Sequence, residues 1–399
     1  MIKTLGLLVT TAGLSLAATG PLFAQDERAP LADIEASTQF ARAWLDGTLD
    51  DYMAPEVTYD GPPIVMHLSS HLPEGAPIAD DMRRGFAILE RMSQGRLRVE
   101  ARWNATVHSV AEGFEANRSG ITDTSACFVF LNSSNFPLTR SLSLPGIFPS
   151  PEVMSLVAQE LAGRYFVPEF ERQGVHLTQI DSSAFFNLFS NTPIRTLEDL
   201  EGLKVRSGTG INAAMFEAFG ATPVNMGSGD LFSALQRGLL DAVFTSDASA
   251  RTFRLNEVAR YHTYTPINFQ SFEWCISPQF YDGLPPDLQR VIDAWSQQKS
   301  QVETQLSFSL GSAQTRDQFI AGGMEYIDLD EAEFARWQER FEPLVEAYIV
   351  QSEEAGLPAR QMVADMRALV EQYRHMSREE LLRHVMEHPA PDLLPIRAN

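Results

Sequence analysis

Residues 194–247 alternate short β-rich runs with amphipathic helical runs, and this alternation constrains the fold more than any other feature of the chain. The two helical runs end at Gly220 and Gly238, and glycine is the usual residue after a helix C-terminus. The order βαβαβ is half of a doubly wound sheet, so the predicted fold class is α/β. The predicted strands are 203–206, 222–226 and 239–244, and the predicted helices are 211–219 and 230–237.

Arg206 ends the first of these strands and precedes a glycine-rich turn. Ligands of such sheets bind beyond the carboxyl ends of the strands, which is where Arg206, Ser207 and Thr245 are expected. A planar guanidinium at that position can hold a carboxylate by two parallel hydrogen bonds. The alternative is a solvated surface arginine, which is how most arginines are read.

A length of 399 residues exceeds one ordinary core and suits two lobes of about 150 residues each. A second α/β pattern lies upstream, with a strand at 64–68, a helix at 78–92 and a strand at 97–101. The run 286–311 predicts a long helix that connects the lobes, and 331–399 predicts C-terminal helices. The other predicted divisions are a signal peptide (1–24), a helical appendage (25–60), a first lobe (61–182, with a return strand at about 271–285) and a second lobe (183–270, with 312–330).

The N-terminus predicts a signal peptide and export. Lys3 supplies a positive charge, residues 5–18 are largely apolar, and a cleavage point is expected near Ala24. Polar residues and glycines dilute a run that is already short for spanning a bilayer, so a membrane anchor is the weaker interpretation.

Two cysteines are present, Cys127 and Cys275, far apart in the sequence. Export would allow them to pair. Both lie in apolar strand-like contexts, however, where buried free thiols are the commoner outcome. We expect them to be unpaired, although the sequence leaves pairing open.

Charge and short motifs weigh against several functions. The formal charge of −21 disfavours nucleic acid binding, which needs a basic face. The G-x-G-x-x-A pattern at 208–213 is similar to a dinucleotide motif, but Asp230, at the distance of the motif's acid, opens a helix instead of ending a strand. Histidines spaced four apart lack the other ligands of a metal site, and no nucleophile motif is present. We therefore predict no cofactor, no metal and no catalytic residue.

Several segments, taken in order, resemble the solute-binding proteins of tripartite ATP-independent periplasmic (TRAP) transporters, the DctP-like family. The segments are MHLSSHLPEGAP, GFAILERMSQGRLRVE, LPGIFPSPE, IRTLEDLEGLKVRSG, MFEAFGATPVNM, DLFSALQRGLLDAV and LPPDLQRVI, within roughly residues 64–330. The resemblance implies a two-lobed clamp that closes on an organic acid in the periplasm and delivers it to membrane permease subunits. The family's ligand-gripping arginine, in its glycine-leucine-lysine-x-arginine strand, falls on Arg206.

Three departures from the family pattern bear on the ligand. A second arginine is missing near Phe186 and Asn187, an aromatic residue becomes Ser228, and a glutamate-asparagine pair becomes Thr245 and Ser246. The pocket therefore keeps one cation and gains hydroxyl groups. A dicarboxylate would leave one buried carboxylate unmatched, which is costly, so we expect a monocarboxylate with an apolar or hydroxylated tail.

Further candidate ligand contacts are Thr209 in the glycine-rich turn and, by strand-end position in the first lobe, His71 and Ser125. The expected function is a monomeric TRAP solute receptor that is not an enzyme. Two alternatives stay open: an exported α/β enzyme that acts on a small carboxylic acid in the cleft, and a binding module that signals to a sensor.

Overall fold

The structure, a computed structural model, describes residues 29–396 and contains two β-sheets. The predicted signal peptide lies outside the described residues. The sheets and the helices around them confirm the two-lobed α/β fold class. The strands, in chain order, are β1 (Ile64–Ser69), β2 (Leu97–Arg102), β3 (Thr124–Ala126), β4 (His176–Ser182), β5 (Asn187–Ser190), β6 (Lys204–Arg206), β7 (Thr222–Val224), β8 (Ala242–Thr245), β9 (Tyr261–Tyr264), β10 (Ser271–Ile276) and β11 (Glu325–Asp328).

The helices, also in chain order, are α1 (Leu31–Ser37), α2 (Gln39–Leu45), α3 (Pro77–Met92), α4 (Gly113–Arg118), α5 (Pro151–Leu161), α6 (Val167–Arg172), α7 (Ile211–Ala218), α8 (Leu231–Gln236), α9 (Asp247–Thr252), α10 (Pro278–Tyr281), α11 (Pro286–Glu303), α12 (Gly311–Ala321), α13 (Glu331–Gln338), α14 (Phe341–Glu354), α15 (Ala359–Tyr373) and α16 (Arg378–Glu387). Helices α3, α5 and α11 each begin at a proline, whose missing N–H is not needed in the first turn. In the part of the chain described, no helix is long and apolar enough to cross a membrane.

The first sheet has the strand order β2-β1-β3-β10-β4, and β10 runs antiparallel to both of its neighbours. The second sheet has the order β11-β9-β5-β8-β6-β7, in which β6, β7 and β8 are parallel, as the βαβαβ pattern predicts. Strand β10 returns to the first sheet after five strands of the second, so the chain passes between the sheets more than once. The residue boundaries of the lobes stay a prediction.

The helix predicted at 286–311 extends to Ala321 in the structure. Helix α11 continues through a π-helical segment, Thr304–Leu310, directly into α12. Three glutamines at helical spacing each bind a different part of the chain. Gln298 accepts a hydrogen bond from Trp44 Nε1 at 2.7 Å, Gln301 donates to the carbonyl of Glu152 at 3.0 Å, and Gln305 donates to the carbonyl of Arg378 at 2.9 Å. The helix therefore fastens the N-terminal helices, α5 and α16 together.

Cys127 and Cys275 form a disulfide with a Cα–Cα separation of 6.0 Å, so the prediction that they are unpaired is wrong. The reason is the sheet register. Cys275 in β10 faces Ser125 of β3, and the chain continues from β3 so that the N–H of Cys127 bonds the carbonyl of Glu273 at 2.9 Å. Strand pairing brings the two residues together across 148 positions of sequence, which the apolar context of each cysteine could not reveal.

Candidate functional site

Arg206 lies at the carboxyl end of β6 and is only 3% exposed. Its Nε donates to the carbonyl of Met226 at 3.0 Å, and its guanidinium carbon lies 5.5 Å from the ring centre of Phe130. Among residues 29–396, no carboxylate forms an ion pair with it. Burial lowers the pKa of Arg206 to about 10, so the side chain remains positive at neutral pH. Burying a cation without a counter-ion costs several kcal/mol, and an anionic ligand would offset that cost.

The glycine-rich turn after Arg206 joins the two lobes. Gly208 has a φ of +85°, and a Cβ there would lie 3.1 Å from the carbonyl oxygen of Phe130, so a side chain would strain the backbone and crowd that contact. Thr209 donates to the same carbonyl through its N–H at 3.0 Å and its hydroxyl at 2.8 Å. The hydroxyl also lies 2.8 Å from Ser133 Oγ. The turn predicted to meet an anion therefore holds the second lobe against a loop of the first.

Thr245 and Asn187 are brought face to face, since they are partners in the β5–β8 register. The Asn187 amide is fully engaged: it donates to Asp247 Oδ1 at 3.0 Å and accepts from the N–H of Thr265 at 3.0 Å. Thr245 is 4% exposed, and its hydroxyl bonds to nothing in the described part of the chain. Phe186 packs edge-on against Phe244 at 5.3 Å within the apolar core. Of these neighbours, Thr245 is the one whose hydroxyl is available to a ligand.

Ser228 is half-buried and follows Met226, the residue whose carbonyl holds Arg206. It begins a short 3₁₀ turn, Ser228–Asp230, that leads into α8. A Cβ on the neighbouring Gly227 would lie 3.9 Å from Val110 of the first lobe. Ser228 is thus close in sequence to the contacts of Arg206 and beside the cleft.

His71 bridges the two lobes. Its ring meets Phe128 of the first lobe edge-on at 5.4 Å and stacks on Phe253 of the second lobe at 6.5 Å. Its Nδ1 is buried and has no hydrogen-bond partner within residues 29–396. Burial, followed by the nearby His108, lowers the pKa of His71 to about 4, so the ring is neutral at pH 7 and can accept a hydrogen bond.

Ser125 is placed apart from these groups. It is fully buried in β3, and its hydroxyl accepts from Asn117 Nδ2 of α4 at 2.7 Å. Its role as a ligand contact, like that of the other seven candidates, stays a prediction.

A cavity of about 60 Å³ lies between the lobes, next to His71. No lysine or arginine lines it. Its polar lining includes two carboxyl groups, Asp181 and Glu303, together with the hydroxyl of Ser307. Its aromatic lining is Phe128, Phe253, Phe272, Trp274 and Phe308.

Asp181 and Glu303 differ in their electrostatic partners. Glu303 Oε2 lies 2.6 Å from the buried ammonium of Lys299, whereas Asp181 forms no ion pair with a described basic residue. Burial, and then the charge of Glu303, raises the pKa of Asp181 well above its usual range, and Lys299 offsets only part of this. Neither acid was a candidate from the sequence, because single acids within a buried strand and a long helix carry no motif.

Phe130 separates Arg206 from the cavity. Its ring lies over the Arg206 guanidinium and stacks on Phe128 at 5.4 Å, and Phe128 lines the cavity. Phe272 completes this partition, with its ring centre 5.0 Å from that of Phe128. The rings of Phe130, Phe128 and Phe272 therefore form one aromatic wall that extends from the Arg206 guanidinium to the cavity. The aromatic-rich runs CFVF and FEW were the sequence signal for it, and we assigned them only as strands.

The family model of the bacterial extracellular solute-binding proteins, family 7 (DctP), matches residues 68–351. The chain belongs to this family. The match spans both sheets and Arg206, and it confirms the resemblance found in the sequence. The C4-dicarboxylate-binding periplasmic protein DctP of Rhodobacter capsulatus is 24% identical over 287 residues, which cover 71% of this chain and 85% of that protein.

Two solved structures show the same two-lobed fold as this DctP-family chain. A TRAP solute binding protein from Rhodoferax ferrireducens T118, in complex with copurified benzoate, has a TM-score of 0.73 at 21% identity and covers 78% of this chain and 98% of its own. A TRAP periplasmic solute binding protein from Chromohalobacter salexigens DSM 3043 with bound D-glucuronate has a TM-score of 0.68 at 19% identity, with coverages of 76% and 99%. The protein is thus a TRAP solute-binding receptor by family, and its relatives bind acids of different shapes.

Proposed function

We propose that this receptor captures a monocarboxylic organic acid and that Arg206 binds the carboxylate. The observation that carries the proposal is the burial of the Arg206 guanidinium, at 3% exposure, without a carboxylate partner among the described residues. A bidentate pair with a ligand carboxylate would satisfy the guanidinium donors that Met226 leaves free. A charged hydrogen bond of this kind also orients the ligand in the cleft.

The lining of the cleft supports one carboxylate instead of two. Because no described lysine or arginine lines the 60 Å³ cavity and His71 is neutral at pH 7, a second carboxylate placed there would be buried beside Asp181 and Glu303 without a cation. Arg251 lines a neighbouring cavity of about 70 Å³, but so does Asp81. The aromatic walls favour an apolar body for the ligand.

We assign the other predicted residues to two roles. His71 is a proposed direct contact because its buried Nδ1 has no described partner and its ring lines the cavity. Thr245 and Ser228 are proposed direct contacts because Thr245 ends, and Ser228 follows, a strand that neighbours β6 in the second sheet. The other predicted residues are proposed to shape the site, since their polar atoms or rings are already engaged by the protein. These are Phe186, Asn187, Thr209 and Ser125.

We infer that the mature protein begins after a signal peptide cleaved near Ala24, acts in the periplasm as a monomer and delivers its ligand to a membrane permease. The family match supports this inference. The gene neighbourhood tests delivery: one small and one large multi-span membrane protein encoded beside this gene are expected for a TRAP system. Absence of both would favour a receptor that signals to a sensor.

The site is tested by ligand binding to purified mature protein. A thermal-shift screen of carboxylic acids is expected to find a stabilising monocarboxylate, with about 2.7 kcal/mol of stabilisation at a hundred times its dissociation constant. Arg206→Ala is expected to weaken that binding by a factor on the order of a hundred or more, because losing one half of a buried charge pair costs about 3 to 5 kcal/mol.

Arg251→Ala is the matched control. It is expected to leave the binding of a monocarboxylate unchanged, whereas a ligand with a second carboxylate held near Arg251 would lose affinity. Unaltered affinity in Arg206→Ala would show that the carboxylate binds elsewhere. A preference of the wild-type protein for dicarboxylates would contradict the monocarboxylate assignment.

A further inference from the structure

The polar groups of the 60 Å³ cavity are mostly hydrogen-bond acceptors. Asp181 and Glu303 present carboxyl oxygens, and the Nδ1 of the neutral His71 ring has no described partner. The Ser307 hydroxyl already donates to Asp81 Oδ2 at 2.9 Å, so its oxygen is left as an acceptor. Because no lysine or arginine lines the cavity, it lacks the donor-rich group that would satisfy these atoms.

The aromatic walls suit the same kind of group. Faces of phenylalanine and tryptophan attract cations, and the attraction grows when the cation is removed from water. Five aromatic rings line the cavity together with the two acids. An apolar ligand group would fill such walls equally well, but it would bring no donor to Asp181, whose contact with Gln179 Nε2 is long at 3.4 Å.

The protein itself uses this chemistry on the other side of Trp274. The Lys299 ammonium lies 5.8 Å from the Trp274 ring centre, 5.9 Å from that of Phe86 and 5.7 Å from that of Trp295. It lies 2.6 Å from Glu303. Trp274 and Glu303 also line the cavity, where no ammonium is supplied by the described chain. Two buried acids therefore share one lysine, and Asp181 is the acid left without an ion pair.

We propose that this cavity is a subsite for a primary ammonium group, so that the ligand is a zwitterion whose carboxylate binds Arg206 and whose ammonium binds Asp181 and Glu303. The proposal rests on the proposed function, because it assumes a carboxylate at Arg206. An ammonium has three donors, which Asp181, Glu303 and His71 Nδ1 can accept. Its charge balances the acid that Lys299 leaves uncompensated.

The size of the cavity limits the group. A cavity of about 150 Å³ holds a benzene molecule in another protein, so one of about 60 Å³ holds a group such as an aminomethyl and not a whole ring. A bulky quaternary ammonium is also too large. The ligand body must then lie along the aromatic wall of Phe128, Phe130 and Phe272, between the cavity and Arg206.

The test uses matched ligands on the wild-type mature protein. Each set has the same carboxylate and chain, and the far end carries an ammonium, a hydroxyl or a methyl group. Suitable sets are 5-aminopentanoate, 5-hydroxypentanoate and hexanoate, their homologues one carbon shorter and longer, and 4-(aminomethyl)benzoate, 4-(hydroxymethyl)benzoate and 4-ethylbenzoate. In the best-fitting set, titration calorimetry is expected to give the ammonium member at least about tenfold higher affinity than the other two. Equal or higher affinity for the hydroxyl or methyl member would overturn the subsite.

Variants assign the effect to the cavity. Asp181→Asn and Glu303→Gln are expected to reduce the ratio of the ammonium member's affinity to the methyl member's affinity at least about fivefold. Asp293→Asn is the control, since it removes a buried carboxyl group of α11 that does not line the cavity. An ammonium preference that persists in both cavity variants would overturn the assignment.

The two proposals fail in different ways. If methyl members bind best and Arg206→Ala abolishes their binding, the ammonium subsite is wrong and the carboxylate site stands. If no member of any set binds, or if Arg206→Ala binds all members normally, both are wrong.

Discussion

Two buried arginines of this protein have opposite surroundings. Arg378, at the start of α16 on the outer side of the first lobe, is 7% exposed, and its Nε lies 2.7 Å from Glu152 Oε1. Its Nη1 also donates to Ser37 Oγ at 2.7 Å. Arg206 is more deeply buried, yet it has a carbonyl and an aromatic ring as partners and no described carboxylate. A carboxylate of the protein neutralises Arg378, whereas Arg206 has no such partner among the described residues.

Two buried acids, Glu152 and Glu273, also differ in whether a cation compensates their charge. Burial alone would raise the pKa of Glu152, but Arg378 and the Ser309 hydroxyl outweigh burial and hold the pKa below its usual value. In β10, burial raises the pKa of Glu273 to about 7, because the N–H of Val129 and the Ser271 hydroxyl only partly compensate. Glu152 is therefore compensated by a cation, whereas the described partners of Glu273 are uncharged.

The largest expected difference is between Arg378→Met and Arg206→Met in urea unfolding of the ligand-free protein. Arg378→Met should lose about 3 to 5 kcal/mol of unfolding free energy, because Glu152 remains buried and unpaired. Arg206→Met should lose little or gain stability, because it removes an uncompensated buried cation. Arg360→Met, which removes exposed ion pairs to Glu346 and Glu353, is the control and should cost no more than about 1 kcal/mol. Equal losses in the two buried variants would contradict the division of roles.

The disulfide allows a covalent link within the first sheet to be compared with the ion pair of Arg378 and Glu152. Replacing Cys127 and Cys275 by alanine together should cost about 2 to 5 kcal/mol, because the bond closes a loop across 148 positions. Denaturant unfolding with and without reductant measures this loss. The double variant should be insensitive to reductant, and an equally insensitive wild type would mean that the bond does not stabilise the protein.

The smallest expected effect is a difference between Glu273 and Glu152 in how their contributions to the unfolding free energy depend on pH. The folded pKa of Glu273, about 7, lies above its ordinary value of 4.5, so its contribution to stability is complete below pH 4.5 and is lost as pH rises through 7. Glu152 has the opposite sign, because its folded pKa is lowered and its contribution is lost at acid pH.

Glu273→Gln should therefore gain stability relative to wild type between pH 5 and pH 8, by more than about 1 kcal/mol. Urea midpoints at several pH values measure it. Parallel pH profiles for the variant and the wild type would show that Glu273 does not titrate in this range.

Local pattern was enough for the regular part of the fold. The helix at 78–92 is found at Pro77–Met92, and the strand at 64–68 is found at Ile64–Ser69, because apolar periodicity and glycine or proline punctuation act within a few residues. Around Cys127 the apolar context is strand-like, but only Thr124–Ala126 pairs as a strand, and the chain then turns at Val129–Leu131. Pairing partners, and not propensity, set that length.

The candidate site likewise contains residues that a local sequence signal identifies and residues whose side-chain direction it does not determine. Arg206 was found because a strand end before a glycine-rich turn is a local signal, and because the family pattern repeats it. His71 was chosen by strand-end position and lines the cavity, whereas Ser125, chosen for the same reason, has its hydroxyl bonded to Asn117. Strand-end position gives the edge of a sheet but not the direction of a side chain.

The sequence by itself determined the α/β class, the family and the arginine at the strand end, since these depend on periodicity and on motifs that are contiguous in the chain. Only the tertiary structure decided that Cys127 and Cys275 bond, that Glu152 neutralises Arg378 and that Lys299 pairs with Glu303 beside an aromatic cavity. Each of those outcomes joins residues from distant segments. Their energies depend on distance and on burial from water, and neither quantity can be read from the order of residues along the chain.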